Sequence, residues 1–173
     1  MNADNIFLIK PTIELESEFL SMVEEYEGAG ERFHIHENAQ NNFVTYLTSL
    51  REMSEGINLQ PGIVPMDTFW MVKDNQKIIG ECRLRKYLTP TLEFEGGHIG
   101  YLIRPSQRQK GYGTLILALT LEKARELGIK RVRVTCDTDN LPSARIIEKN
   151  GGILSGKSIS KFSSKLISQY WID

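Results

Sequence analysis

Between Arg104 and Thr114 the chain reads "RPSQRQKGYGT". Three cations (Arg104, Arg108, Lys110) and two glycines (Gly111, Gly113) stand directly before a long apolar run at helical spacing. A helix N-terminus presents unpaired N–H groups and the positive end of the helix dipole. A glycine there removes the Cβ that would hold a ligand off the backbone. The chemistry this pattern predicts is anion binding, with phosphate as the natural guest. Two other glycine patterns compete. "GYGTLI" offers Gly-x-Gly, but Ile116 stands where a dinucleotide fingerprint needs its third glycine. "GGILSGKS", from Gly151 to Ser158, fits G-x-x-x-x-G-K-[ST] at each fixed position. A phosphate loop of that kind needs a strand before it and a helix after it. Here a helix precedes it, and Ile153 and Leu154 inside it read as a strand.

The elements that must position the loop follow from periodicity. "NIFLIKPT" predicts a strand. Leu15, Phe19, Met22, Val23 and Tyr26 recur at helical spacing, and Gly28 and Gly30 stop that helix. A second helix is predicted over 37–56, with Phe43, Tyr46, Leu47 and Leu50 on one face. "INLQPGIVPMD" is a loop. "TFWMVK" and "KIIGECRLRKYL" flank a turn and predict a hairpin. "HIGYLIRP" is a further strand. The helix after the glycines runs to Gly128, a C-terminal cap. "KRVRVTCD" is a strand, "PSARIIEKNGG" a short helix, and two strands close the chain. The order predicts one mixed α/β domain over residues 1–173.

Composition narrows the class. The 173 residues are 40% hydrophobic and 25% charged, ordinary for a globular domain. A formal net charge of -1 supplies no overall field for nucleic acid or an anionic membrane. The N-terminal segment lacks the pattern of a secretory signal, and no apolar run approaches the ~18 residues of a span. Cys82 and Cys136 are too few for a disulfide framework and lie in apolar runs, as reduced thiols of a cytoplasmic protein would.

"RQKGYGT" resembles the pyrophosphate loop, Q/R-x-x-G-x-G/A, of the GNAT family of acyl-CoA-dependent N-acetyltransferases. "DNLPSARIIEKNGG" is similar to the family's second motif, with Asn140, Ser143, Glu148, Lys149 and Gly151 in place. The element order agrees over nearly the whole chain. The resemblance implies a mostly antiparallel sheet with splayed central strands flanked by helices. It implies acetyl-CoA as co-substrate, and no metal is expected, since the only paired candidate ligands, His34 and His36, lack a third. It places the pyrophosphate on Arg108, Gln109, Lys110, Gly111, Tyr112, Gly113 and Thr114. It places the pantetheine along Leu102 and Ile103, with Asn140 and Ser143 on the other side. The reaction it implies is direct attack on the thioester by a primary amine of a small molecule or peptide, in a ternary complex. The chain departs from the family at Ile147, where a tyrosine usually protonates the leaving thiolate, and at Gly152, where an aromatic is usual. A non-catalytic acyl-CoA sensor is therefore the competing class. A monomer or homodimer is expected.

Under that resemblance His98, at the start of the cofactor strand, is the expected base. Ser143 is the expected hydrogen-bond donor to the thiolate. Glu81, Glu93 and Glu95 are further carboxylates, expected to be solvated. The helices before the hairpin wall the acceptor site in this family. Glu24, Glu25 and Glu31 would there favour a cationic amine, whereas Arg83 or Arg85 would bind a carboxylate. These two hints conflict. His34 and His36 alternate as metal ligands can, but no third ligand accompanies them.

Overall fold

The computed structural model describes residues 5–31 and 37–173. The chain opens with β1 (Ile6–Ile9), a 3-10 turn and α1 (Glu16–Gly28). In α1 the buried residues are Phe19, Met22, Val23 and Tyr26, the i, i+3, i+4, i+7 stripe of a core-facing helix. The helix predicted over 37–56 is two helices, α2 (Glu37–Asn41) and α3 (Phe43–Glu55). Asn42 breaks it. Its backbone is extended, and its side chain accepts the Thr45 N–H at 2.9 Å, capping α3. The hairpin follows as β2 (Met66–Lys73) and β3 (Lys77–Arg85). A short α4 (Pro90–Phe94), absent from the sequence reading, starts at a Thr89 cap with Pro90 in its first turn. Then come β4 (Ile99–Ile103), α5 (Tyr112–Glu126), β5 (Val132–Asp137), α6 (Leu141–Lys149), β6 (Ile153–Ile159) and β7 (Leu166–Ile172). Gly151–Ser158 is thus mostly strand, paired with β7, and cannot wrap a phosphate.

The strands form two sheets, ordered β1-β2-β3-β4 and β5-β7-β6, with every pairing antiparallel. They meet where β4 and β5 begin. The His98 N–H donates to the Arg133 carbonyl at 2.8 Å, and the Arg133 N–H donates back to His98 Nδ1 at 2.9 Å. Gly97 allows this approach. A Cβ there would lie 2.4 Å from the Arg133 oxygen, and its φ is +63°. Beyond this seam no hydrogen bond joins β4 to β5 among the described residues.

Two apolar layers hold the frame. One joins both sheets to α5 and α6 through Met71, Ile79, Leu84, Ile116, Leu117 and Ile147. The other seats α1 and α3 on the opposite face of the first sheet, where Phe19 stacks on Trp70 at 4.8 Å and on Tyr46 at 5.3 Å. Fully burying one such side chain stabilises by about 1.5–3 kcal/mol, more for aromatic pairs. Among the described residues no helix is long and apolar enough to cross a membrane.

Candidate functional site

Chain direction changes sharply between β4 and α5. Gln109 and Gly111 both take positive φ, +60° and +83°, and Gly111 is the residue before the first turn of α5. Alternating left-handed residues turn successive N–H groups to one side and form an anion nest. Among the described residues the N–H groups of Gln109, Lys110, Gly111, Tyr112 and Gly113 have no protein acceptor. They face a cleft of about 460 Å³ lined by Leu102, Ile103, Arg108, Gln109, Gly111, Gly113 and Thr114 on one side, and by Asn140, Ser143, Arg145 and Lys149 on the other. A larger hollow of about 510 Å³ lies between α3 and the end of β1, beside Lys10 and Thr68. It has no nest of N–H groups, so chemistry rather than volume selects the cleft.

Most of the residues predicted to bind cofactor line this cleft. Lys110 and Tyr112 do not: Lys110 donates to the Ser106 carbonyl and to Gln107, and Tyr112 packs on the core. Of the three loop cations, Arg104 is buried and tied to Glu18, Glu25 and Ser21, and Arg108 is paired in a fork with Glu31 at 2.5 and 2.8 Å. The cations expected to face the ligand are therefore largely neutralised, and the nest supplies the positive field. Arg145, which the sequence does not single out, and Lys149, a residue of the second motif with no role assigned, stand one turn apart on α6, line the cleft and have no acidic partner among the described residues. Their i, i+4 spacing behind Asn140 was the signal. Gly113 has a packing role as well. A Cβ there would meet Ile146 Cδ1 at 2.4 Å, so it lets α6 close on α5.

The strand edge beside the cleft is set by register. The Arg85 N–H donates to the His98 carbonyl, the Arg104 N–H to the Ile79 carbonyl, and Glu81 lies opposite Leu102. Antiparallel alternation then turns the backbone of Gly100 and Leu102 toward β3, and that of Ile99, Tyr101 and Ile103 toward the gap before β5. The Ile103 carbonyl already accepts from the Tyr26 hydroxyl at 2.6 Å and from Arg108 Nε at 3.1 Å. Leu102 thus contributes its side chain to the cleft. Tyr101, which the sequence reading passed over, offers a backbone N–H and carbonyl to the gap.

Tyr101 also reaches across it. Its hydroxyl shares a 2.9 Å hydrogen bond with Ser143 Oγ, at the start of α6. Burial pushes the phenol up to about 12, so it stays protonated. Asn140, not Ser143, caps α6: its Oδ1 accepts the Ser143 N–H at 3.1 Å. Ile147 points away from the cleft and is fully buried in the core.

The other expected site residues fall elsewhere. His98 is 8% exposed, and its Nδ1 lone pair is engaged by the Arg133 N–H. The neutral ring then carries its proton on Nε2 and has no lone pair left for a substrate proton. The expectation of a base at His98 is corrected to a sheet-joining role. Burial, and next the Arg85 charge, lower its pKa against an opposing pull from Glu93. Glu25 accepts from Arg104 and from the Ser106 N–H, and Glu31 holds Arg108, so both carboxylates are already ion-paired within the protein. Their partners hold the Glu31 carboxyl below its ordinary range, and the Glu25 carboxyl too, despite burial. Glu81, expected to be solvated, is 1% exposed and accepts Arg83 Nε at 3.0 Å, Arg83 Nη2 at 2.8 Å and Trp70 Nε1 at 3.3 Å. Arg83 remains part-exposed on the α1 and α3 face, directly opposite Gly100. His34 and His36 lie outside the described residues. Among the described residues no three His, Cys, Asp or Glu side chains gather as a metal site requires.

Comparisons with known proteins bear on the family and the fold. Residues 22–153 match the family model of the acetyltransferase (GNAT) domain. An uncharacterized N-acetyltransferase of Bacillus subtilis (strain 168), YnaD, is 29% identical over 85 residues. That alignment spans 47% of this chain and 46% of the relative, about half its length. The microcin C7 self-immunity acetyltransferase MccE, solved with acetyl-CoA and AMP, shares the fold at a TM-score of 0.72 and 16% identity, over 98% of this chain and 92% of that one. So does a Salmonella typhimurium acetyl transferase that modifies the N-terminal serine of 50S ribosomal subunit protein L7/L12, at a TM-score of 0.68 and 15% identity over 97% and 95%. With a free N–H nest, a strand edge open to a parted seam and a family model covering most of the chain, this protein belongs to the acetyltransferase (GNAT) family.

Proposed function

We propose that the protein transfers the acetyl group of acetyl-CoA to a primary amine of a small molecule or a peptide, by direct attack in a ternary complex. The observation that carries this reading is the run of unpartnered N–H groups from Gln109 to Gly113, at the end of a strand whose outer edge is open. The nest holds the pyrophosphate. Arg145 and Lys149 meet phosphate charge from the α6 side. The β4 edge at Tyr101 pairs with the pantetheine amides as an added strand would, and leads the thioester to the seam.

The acceptor amine approaches over Gly100, where a side chain would meet open space. Its nitrogen attacks the carbonyl carbon, and a backbone N–H of the β4 edge stabilises the oxyanion. The C–S bond then breaks and the electron pair leaves on sulfur. In the Tyr101–Ser143 hydroxyl pair one O–H donates to its neighbour, and the neighbour's O–H donates to that thiolate near the α6 N-terminus, where negative charge is favoured. Ile147, in the position of the usual tyrosine, takes no part. The amine's proton leaves through water, because the His98 lone pair is engaged and Glu81 is buried against Arg83. The peptide arm is supported by the ribosomal-protein acceptor of one structural relative.

The test is acetyl-CoA turnover, read as free thiol release, over amines, polyamines, amino acids and peptide N-termini. Transfer to at least one class supports the reading. Tight acetyl-CoA binding with no transfer to any acceptor would replace it with the sensor.

A further inference from the structure

The sequence left two opposed hints about the acceptor, an acidic wall and an arginine. The structure removes one of them. Glu25 and Glu31 are consumed by Arg104, Ser106 and Arg108, Glu27 accepts from Gln40, and Glu24 is exposed. Among the described residues, the α1 carboxylates without a partner are Glu16 and Glu24, and Glu24 is exposed to solvent.

On the other side of the opening the charge balance is positive. Glu81, Arg83 and Arg85 alternate along β3 with the core residues Cys82 and Leu84, so all three face α1 and α3. Glu81 engages Nε and Nη2 of Arg83, which fixes the guanidinium plane, while Nη1 has no partner among the described residues. Arg85 donates Nη1 to the Gly96 and Gly97 carbonyls. One carboxylate thus faces two guanidiniums. Burial first, and the Arg83 charge next, hold the Arg85 pKa below its ordinary value, a like-charge cost that a bound anion would relieve. Gly100, directly opposite Arg83, is exposed and leaves room at this spot. Opposed residues of adjacent strands lie about 5 Å apart. An anion on Arg83 therefore sits within a few bonds of an amine placed at the β4 gap.

Resting on the transferase reading above, we propose that the acceptor is an amine bearing a carboxylate or phosphate group, which docks on the free Nη1 edge of Arg83 while its amine reaches the seam over Gly100. A guanidinium held flat by one carboxylate is preorganised to receive another planar anion in a fork.

The experiment compares kcat/KM for acceptor pairs that differ only in the anion. The pairs are glycine against glycinamide, 2-aminoethyl phosphate against ethanolamine, and otherwise identical peptides with Asp or Asn at the second position. The wild type should favour the anionic member of at least one pair by about 30-fold, the worth of a charge-assisted contact. The responding pair distinguishes carboxylate from phosphate. Arg83→Gln should collapse that ratio to near unity with coenzyme A affinity unchanged, and Arg83→Lys should restore part of it. Because Arg83→Gln strands the buried Glu81, the double variant Arg83→Gln, Glu81→Gln provides a folded control with the same expected collapse. A wild-type preference for the neutral members or for polyamines would overturn the inference while leaving the transferase reading intact. So would an anion preference that survives in both Gln variants. No transfer to any acceptor would overturn both.

Discussion

A histidine whose Nδ1 already receives a backbone N–H is stable only while that lone pair exists. At His98, burial and Arg85 lower the pKa below the ordinary 6.5, and Glu93 only partly opposes them. The sign follows from linkage. A depressed folded-state pKa contributes stability that is complete above the unfolded value and is lost as pH falls through the folded one. Melting temperature should therefore drop as pH falls below about 7.5, through the ordinary 6.5 and on through the lower folded value, and His98→Asn, whose amide oxygen can replace Nδ1 as acceptor, should flatten that slope. An unchanged slope in the variant would remove His98 from the seam. Two neighbouring hydroxyls carry a separate prediction. Ser143→Ala and Tyr101→Phe should each lower kcat several-fold, on the order of 3–10, because each breaks the hydroxyl pair that donates to the leaving sulfur. The Ser143 change should leave stability nearly intact, since Asn140 is the cap. Asn140→Ala should instead cost about 1 kcal/mol. Wild-type kcat in both hydroxyl variants would refute the thiolate assignment. Restoring the family tyrosine offers no remedy: Ile147 is fully buried, and Ile147→Tyr should destabilise by about 1–3 kcal/mol through overpacking, read by thermal melting. Tyr101 was illegible in the sequence because one polar tip in an apolar strand looks like ordinary alternation. His98 was legible as a residue and not as a role, since its partner lies 35 positions away.

Helix α6 shows what an element adds to its residues. Asn140, Ser143, Arg145 and Lys149 are brought to one cleft wall because α6 leans on α5 through Gly113 and Ile146. With Arg108 held by Glu31, the unpaired cations facing the cleft are on α6. Arg145→Ala combined with Lys149→Ala should weaken coenzyme A binding by about 10-fold or more, and weaken 3′-dephospho-coenzyme A less. Equal losses would assign both cations to the pyrophosphate, and no loss would remove α6 from phosphate binding. The sequence located the start of α5 through its glycines, and α6 through Pro142 and the resemblance. It missed α4 because five residues hold too little periodicity, although Thr89 followed by Pro90 is a helix start. It ran α2 into α3 because Asn42 carries no breaker signature, only a cap revealed by its extended backbone. Glu25 and Glu31 look locally like a ligand wall, yet each pairs with an arginine 77 or more residues away, a contact that no local pattern discloses.

At the scale of the molecule, two antiparallel sheets share one short seam and part beyond it, and the cofactor reading depends on that parting. The order of elements was legible throughout, because each has its own period and punctuation. Where the sheets separate was implied only by the family resemblance, since it depends on Gly97 admitting the Arg133 carbonyl. Gly97→Ala should cost about 2 kcal/mol or more from positive φ and the backbone clash together, and should reduce turnover more than coenzyme A affinity. If the bare N–H nest before α5 holds the coenzyme, titration calorimetry of acetyl-CoA into wild type and Gly111→Val, with melting curves to show both are folded, reads it out. A Cβ at Gly111 meets no protein atom within 4 Å, so its effect falls on the ligand and on a φ of +83°. Wild type should bind one equivalent, and the variant should lose about 30-fold or more in affinity. Equal affinity in a folded Gly111→Val would place the coenzyme elsewhere than on this nest.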